Sequence, residues 1–152
     1  MHREIERKFL VKSGRWKQAA VRRFHIKQAY LSFGPPVTVR VRDKDGQGML
    51  TVKGESHDGG ISRREWEKKI TMEDTGILFQ LAQGRIIEKI RYEIPWEDVI
   101  IEVDEFIRPR KGLVLAEIEL KDENQPLNLP DWLGEEVTGK KEYYNAYMAQ
   151  YG

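Results

Sequence analysis

The chain has 152 residues, enough for one domain with a real core and too few for two ordinary ones. Its 26 Lys+Arg and 25 Asp+Glu leave a net charge of +1, which gives no basic field for nucleic acid, and the lack of cysteine excludes disulfide scaffolds and thiolate chemistry. The N-terminus is charged from its third residue, unlike a secretory signal, and no apolar run approaches the ~20 residues that span a bilayer, so a soluble cytoplasmic protein with no membrane partner is expected.

Turn signals punctuate the chain at short intervals, and the runs between them alternate with period 2. This predicts strands over 3–12, 25–33, 36–44, 48–55, 61–71, 86–94, 97–106 and 113–122. Segment 15–23 reads as a short helix joining the first two strands. Asp45-Gly46 centres a hairpin loop between the third and fourth. From Met72 to Gln83 the alternation gives way to a helix of about three turns, with Thr71 as N-cap and Glu73 and Asp74 in its first turn. Residues 142–150, with Tyr143, Tyr144 and Tyr147, form a C-terminal helix. Strands this many and this closely spaced predict an antiparallel barrel or sandwich in one unit over 1–152.

The charge pattern separates the two. Residues two apart in a strand share a face. Glu4, Glu6 and Lys8 oppose Ile5 and Phe9; Arg40 and Arg42 oppose Val39 and Val41; Lys53 opposes Val52. Arg63, Glu65, Glu67 and Lys69 oppose Trp66 and Ile70, and Lys89 and Arg91 oppose Ile90, Tyr92 and Ile94. Glu102 and Asp104 then oppose Ile101 and Val103, as Glu117 and Glu119 oppose Ala116, Ile118 and Leu120. For one strand a solvated polar face explains this. Across the set, the faces are nearly pure charge and the signs are sorted by strand, an arrangement tolerated where something of opposite sign binds. The expectation is therefore α+β, mainly β: a closed eight-stranded antiparallel barrel with a polar interior and a few covering helices.

Two Glu-x-Glu pairs, Glu4/Glu6 and Glu117/Glu119, offer hard oxygen ligands suited to Mg²⁺ or Mn²⁺. His2, His25 and His57 lack metal-ligand spacing and read as structural or surface residues. The Arg and Lys face calls for a polyanion with several oxygens, such as a linear polyphosphate. No Walker loop and no G-x-S-x-G motif occurs.

Glu4-Ile5-Glu6-Arg7-Lys8 resembles the E-x-E-x-K signature of CYTH domains, the triphosphate tunnel metalloenzymes. Further likenesses follow in order: Lys27 to Leu31, Val39 to Arg42, Thr51 to Lys53, Arg63 to Glu67, Lys89 to Arg91, Glu102 to Asp104, Ala116 to Leu120 and Glu136 to Thr138. The resemblance, which extends to the family's short bacterial inorganic triphosphatases, implies a tunnel that hydrolyses a small-molecule triphosphate with Mg²⁺ or Mn²⁺, in a monomer or homodimer. It implies Glu4, Glu6, Glu117, Glu119 and Asp104 as metal ligands, and Lys8, Arg40, Arg42, Lys53, Lys89 and Arg91 as phosphate binders. Arg63, Glu65 and Glu67 would support these from the wall. Lys8 with Tyr30 would help activate water, with a metal-bound water as the rival source. Lys140 and Lys141 depart from the family, whose members often carry an acidic residue there; Lys141 either reaches the tunnel mouth or starts a solvated helix. The same resemblance has the C-terminal helix plugging one tunnel end. The alternatives are an adenylyl cyclase or thiamine triphosphatase of the same fold, or a non-catalytic polyphosphate- or nucleotide-binding module. Retention of both Glu-x-Glu pairs argues against the last.

Overall fold

The computed structural model describes every residue except Met1, His57, Gly60 and Ile61, and every side chain but theirs and those of His2, Arg3 and Glu4. Glu4 as a metal ligand, His2 and His57 as surface groups, and a fifth strand starting at Ile61 thus lie outside the described residues.

In chain order the elements are β1 (His2–Val11), β2 (Arg22–Phe33), β3 (Thr38–Lys44), β4 (Gln47–Lys53), β5 (Ser62–Ile70), α1 (Met72–Leu81), β6 (Gln83–Trp96), β7 (Val99–Arg108), β8 (Val114–Glu119), β9 (Leu133–Glu136) and α2 (Asn145–Tyr151). The strands run in the order β5-β4-β3-β2-β6-β7-β8-β1, and β1 pairs back onto β5, closing an eight-stranded antiparallel barrel. β8 lies along one edge of β1; on the other edge β5 takes the N-terminal half and β9 the C-terminal end. Among the described residues no helix is long and apolar enough to cross a membrane.

Local chemistry accounts for the junctions. Asp45 (φ 49°) and Gly46 (φ 85°) take the left-handed conformation a two-residue hairpin requires between β3 and β4. The Thr71 hydroxyl accepts from the Asp74 amide at 3.0 Å and caps α1. Four expectations need correction. The helix over 15–23 is a single 3₁₀ turn at Arg15–Ala19, because the Val21 amide already donates to the Glu93 carbonyl and hands the chain to the β2–β6 ladder. α1 ends at Leu81, since Gln83 belongs to β6. The C-terminal helix begins at Asn145, after a 3₁₀ turn at Lys141–Tyr143. β9 was not expected at all.

Alternation sends apolar side chains to both sides of the wall, but unequally. Outside, Ile5, Phe9, Ile94, Ile101, Val103, Ala116 and Ile118 form a buried cluster under Trp16, Trp132 and Leu133. Burial of such side chains contributes roughly 1.5–3 kcal/mol each, which offsets the cost of a polar interior. Inside, one end of the barrel is apolar: Tyr30, Ile87, Phe106 and Leu115 pack against Met148 and Ala149 of α2. A β-carbon at Gly84 (φ 73°) would collide with the Ala149 carbonyl, so glycine there lets α2 seat across that end.

Candidate functional site

Directly opposed residues in antiparallel strands share a face. The ladder pairs Glu6 with Glu119, Lys8 with Glu117, Glu102 with Glu117 and Asp104 with Arg91. It also pairs Gln28 with Arg42, Tyr30 with Arg40, Arg40 with Thr51, Thr51 with Glu67 and Lys53 with Glu65. Register alone therefore turns the charged set inward. They line a cavity of about 870 Å³ that reaches the β2–β3 and β4–β5 loops and α2. Of the expected site residues, all line it except Asp104, which lies in the wall, and Glu4, whose side chain is not described.

The β6–β7 wall is internally balanced. Arg91 grips Asp104 with two bonds, Nε to Oδ1 at 2.7 Å and Nη2 to Oδ2 at 2.8 Å, and Lys89 Nζ lies 2.7 Å from the same carboxylate. Both oxygens of Asp104 are thereby used by cations of the protein. Burial opposes charge on Asp104, yet Arg91 and Lys89 hold its pKa down at about 2. Burial pushes Lys89 down to about 7 against the pull of Asp104. Arg91 also reaches Glu102 at 3.4 Å.

The β3 wall is not balanced in this way. Neither Arg40 nor Arg42 has a carboxylate partner among the described residues. Arg42 donates through Nε and Nη2 to the neutral Gln28 Oε1, at 3.0 and 2.8 Å. Burial, with repulsion from Arg40 and Arg91, pushes Arg42 down to about 9. Arg40 Nη2 donates to Thr51 Oγ1 at 3.3 Å, while its buried Nε has no partner. Thr51 in turn donates to Glu67 at 3.0 Å. Half-buried cations left this way call for an anion.

Between the walls, Lys8 Nζ donates to the Tyr143 carbonyl at 3.0 Å, lies 3.7 Å from Glu117 and sits 4.9 Å from the centre of the Tyr144 ring. The Tyr30 hydroxyl accepts from Gln28 Nε2 at 3.1 Å, so Lys8 and Tyr30 have different partners. Lys53 lies 3.7 Å from Glu65, Arg63 lies 5.7 Å from the Tyr144 ring centre, and Lys141 stands exposed at the cavity rim. Gln28, Thr51, Tyr144 and Asn145 are not among the site residues the sequence predicts. An amide or hydroxyl on an otherwise charged inner face was the available signal for Gln28 and Thr51.

The carboxylates supply only hard oxygen donors. Burial opposes charge on Glu117, but Lys8, Arg91 and Lys89 hold its pKa well below the usual carboxylate range, helped by a side-chain hydrogen bond from Glu6. Two carboxyls in contact share either a proton or a cation. Among the described residues no three acidic, His or Cys side chains already converge as a metal cage. The Glu6–Glu117 contact, with Glu119 opposite Glu6 in the ladder, nevertheless fits a hard divalent ion.

The fold and cavity define a closed antiparallel barrel whose lumen sorts acid from base. The CYTH domain family model matches residues 2–149, and the chain belongs to that family. It is 44% identical over 151 residues to an inorganic triphosphatase of Acetivibrio thermocellus, covering 99% of this chain and 95% of that protein. It is 34% identical over 150 residues to an inorganic triphosphatase of Nitrosomonas europaea, covering 96% of each. A crystal structure of an inorganic triphosphatase superposes with a TM-score of 0.69 at 31% identity, covering 98% of this chain and 95% of that one.

Proposed function

We propose that this chain is a metal-dependent inorganic triphosphatase, a single CYTH domain over 1–152 that hydrolyses tripolyphosphate to diphosphate and phosphate in the cytoplasm. The observation that carries the reading is the pair of half-buried arginines, Arg40 and Arg42, without a carboxylate partner among the described residues, lining one cavity with the Glu6–Glu117 contact. The names of the relatives with 44% and 34% identity support the same substrate. Mg²⁺ or Mn²⁺ is the ion suited to all-oxygen donors, held by Glu6, Glu117 and Glu119 with Glu4 as a further donor. Bound there, it neutralises phosphate charge.

The side chains do the rest. Arg40, Arg42, Lys53, Lys89, Arg91 and Lys8 orient the triphosphate for in-line attack by water on a terminal phosphoryl and stabilise the charge that develops. Asp104 holds Arg91 and Lys89 in place. Tyr30, whose hydroxyl accepts from Gln28, has its O–H left to donate to a substrate oxygen, and Lys8, 3.7 Å from Glu117, helps activate the attacking water. Arg63, Glu65 and Glu67 support the wall, and Lys141 meets substrate at the rim. α2, seated across one end, favours a short substrate over long polyphosphate chains. The protein acts as a monomer or homodimer.

The test is phosphate release from tripolyphosphate, ATP and thiamine triphosphate with Mg²⁺ or Mn²⁺, with cyclic AMP measured alongside. Tripolyphosphate is expected to be the best substrate, and chelation to abolish turnover. Cyclic AMP from ATP without phosphate release would replace hydrolysis by cyclisation.

A further inference from the structure

Three consecutive residues ahead of and within α2 touch three of the cavity's cations. The Tyr143 carbonyl accepts from Lys8 at 3.0 Å, and the Tyr144 ring centre lies 4.9 Å from Lys8 and 5.7 Å from Arg63. Asn145 Oδ1 accepts from Lys89 Nζ at 3.0 Å. These contacts tie the C-terminal segment to three strands, since Lys89 belongs to β6, Lys8 to β1 and Arg63 to β5.

An ammonium has three N–H bonds. On Lys89 one goes to Asp104 and one to Asn145, while the Phe106 ring centre stands 5.4 Å away on an apolar side. The third is left for the cavity that Lys89 lines. The side chain is almost wholly buried apart from its approach to the cavity, so a lost acceptor on the α2 side is not replaced cheaply by water. Without Asn145 the ammonium is held from one side alone and turns toward Asp104, away from the cavity. Met148 and Ala149, buried against Ile87, Phe106 and Leu115, fix the helix that carries Asn145. Anchoring and contact thus belong to different residues of one short helix.

The geometry points to Asn145 as a positioning residue for the reaction: it aims the Lys89 ammonium at the bound phosphate, and with Tyr143 and Tyr144 it makes the C-terminal segment part of the active site as well as its end wall. This rests on the triphosphatase reading above for its substrate, though not for its geometry. Asn145→Leu keeps the side-chain size and removes the acceptor. It is expected to raise KM for tripolyphosphate about tenfold, while kcat changes less than about threefold and the melting temperature stays near that of the parent. Asn145→Asp keeps an acceptor on Lys89 and is expected to retain the Lys89 contact. Met148→Ala loosens the anchor while leaving the acceptor in place, and is expected to lower the melting temperature more than Asn145→Leu does while raising KM less. A parent-like KM in Asn145→Leu overturns the proposal. So does a KM in both Asn145→Leu and Met148→Ala that rises only as stability falls.

A second readout is independent of substrate. In protein labelled with ¹⁵N-lysine, the doubly bonded Lys89 ammonium is expected to give a slowly exchanging signal, assigned by its loss in Lys89→Met. That signal should persist in Asn145→Asp and vanish in Asn145→Leu. Its survival in Asn145→Leu overturns the positioning role. Failure of the parent to hydrolyse tripolyphosphate overturns the triphosphatase reading instead.

Discussion

The β6–β7 wall and the β3 wall carry the same kinds of cation in opposite condition. On the first, Asp104 clamps Arg91 and Lys89 at 2.7–2.8 Å with all three side chains buried. On the second, Arg40 and Arg42 lean on Thr51 and on the amide of Gln28, neither of which neutralises charge. A buried pair adds little net stability, yet losing one member leaves a charge uncompensated. A half-buried cation with no counter-charge beside it costs stability until an anion arrives. One wall is therefore scaffold as much as site, and the other holds its charge in reserve for the ligand.

The largest test of that contrast is Asp104→Ala, expected to cost roughly 3–5 kcal/mol in urea unfolding. A loss below about 1 kcal/mol would make the two walls equivalent. Arg42→Met should behave in the opposite way. Phosphate release is expected to fall about 100-fold, whereas stability is unchanged or raised. A destabilisation matching that of Asp104→Ala would erase the distinction.

The clamp also sets two pH slopes of stability. Asp104 is lowered from 3.8 to about 2, so the folded state binds fewer protons than the unfolded chain between those values. Its contribution is present above 3.8 and is lost as pH falls toward about 2. Lys89 is lowered from 10.5 to about 7, so here too the unfolded chain binds more protons, and stability rises with pH from about 7 toward 10.5. Urea midpoints measured across pH should show the alkaline rise in the parent and a flatter profile in Lys89→Met. Thr71→Ala, outside the cavity lining, should cost only about 1 kcal/mol and leave turnover unchanged, a reference against which the other effects are read.

Most of the barrel is legible from alternation, because register makes a whole face charged or apolar at once. The inward set from Glu6 to Glu119 follows from period 2 alone. β9 is not legible: Leu133–Glu136 is short, lies beyond a Pro- and Asn-containing stretch, and is a strand only because the far edge of β1 is free beyond β5. Within the site, sequence shows which faces are charged but not which charges satisfy each other. Asp104 reads like any other lumen carboxylate until the β6–β7 register sets it opposite Arg91. Asn145 has no strand signal of its own, since its place depends on the packing of Met148 and Ala149 into the apolar end of the barrel. The chain's family and the ordered motifs along it were legible; the division of labour between the walls was not.

Closure of the barrel has a further consequence, for behaviour in concentrated solution. A chain with this much strand would present open edges to its neighbours if the sheet stayed flat, and open edges template intermolecular pairing. Pairing of β1 with β5 removes most of that hazard, leaving β9 and the distal half of β5. β9 has four residues, among them Glu135 and Glu136, and the distal half of β5 carries Glu67, Lys68 and Lys69. Short length and charge are devices that keep such edges from recruiting another strand. The same ring closure that gathers phosphate-binding groups inward thus also shields the molecule from its own copies.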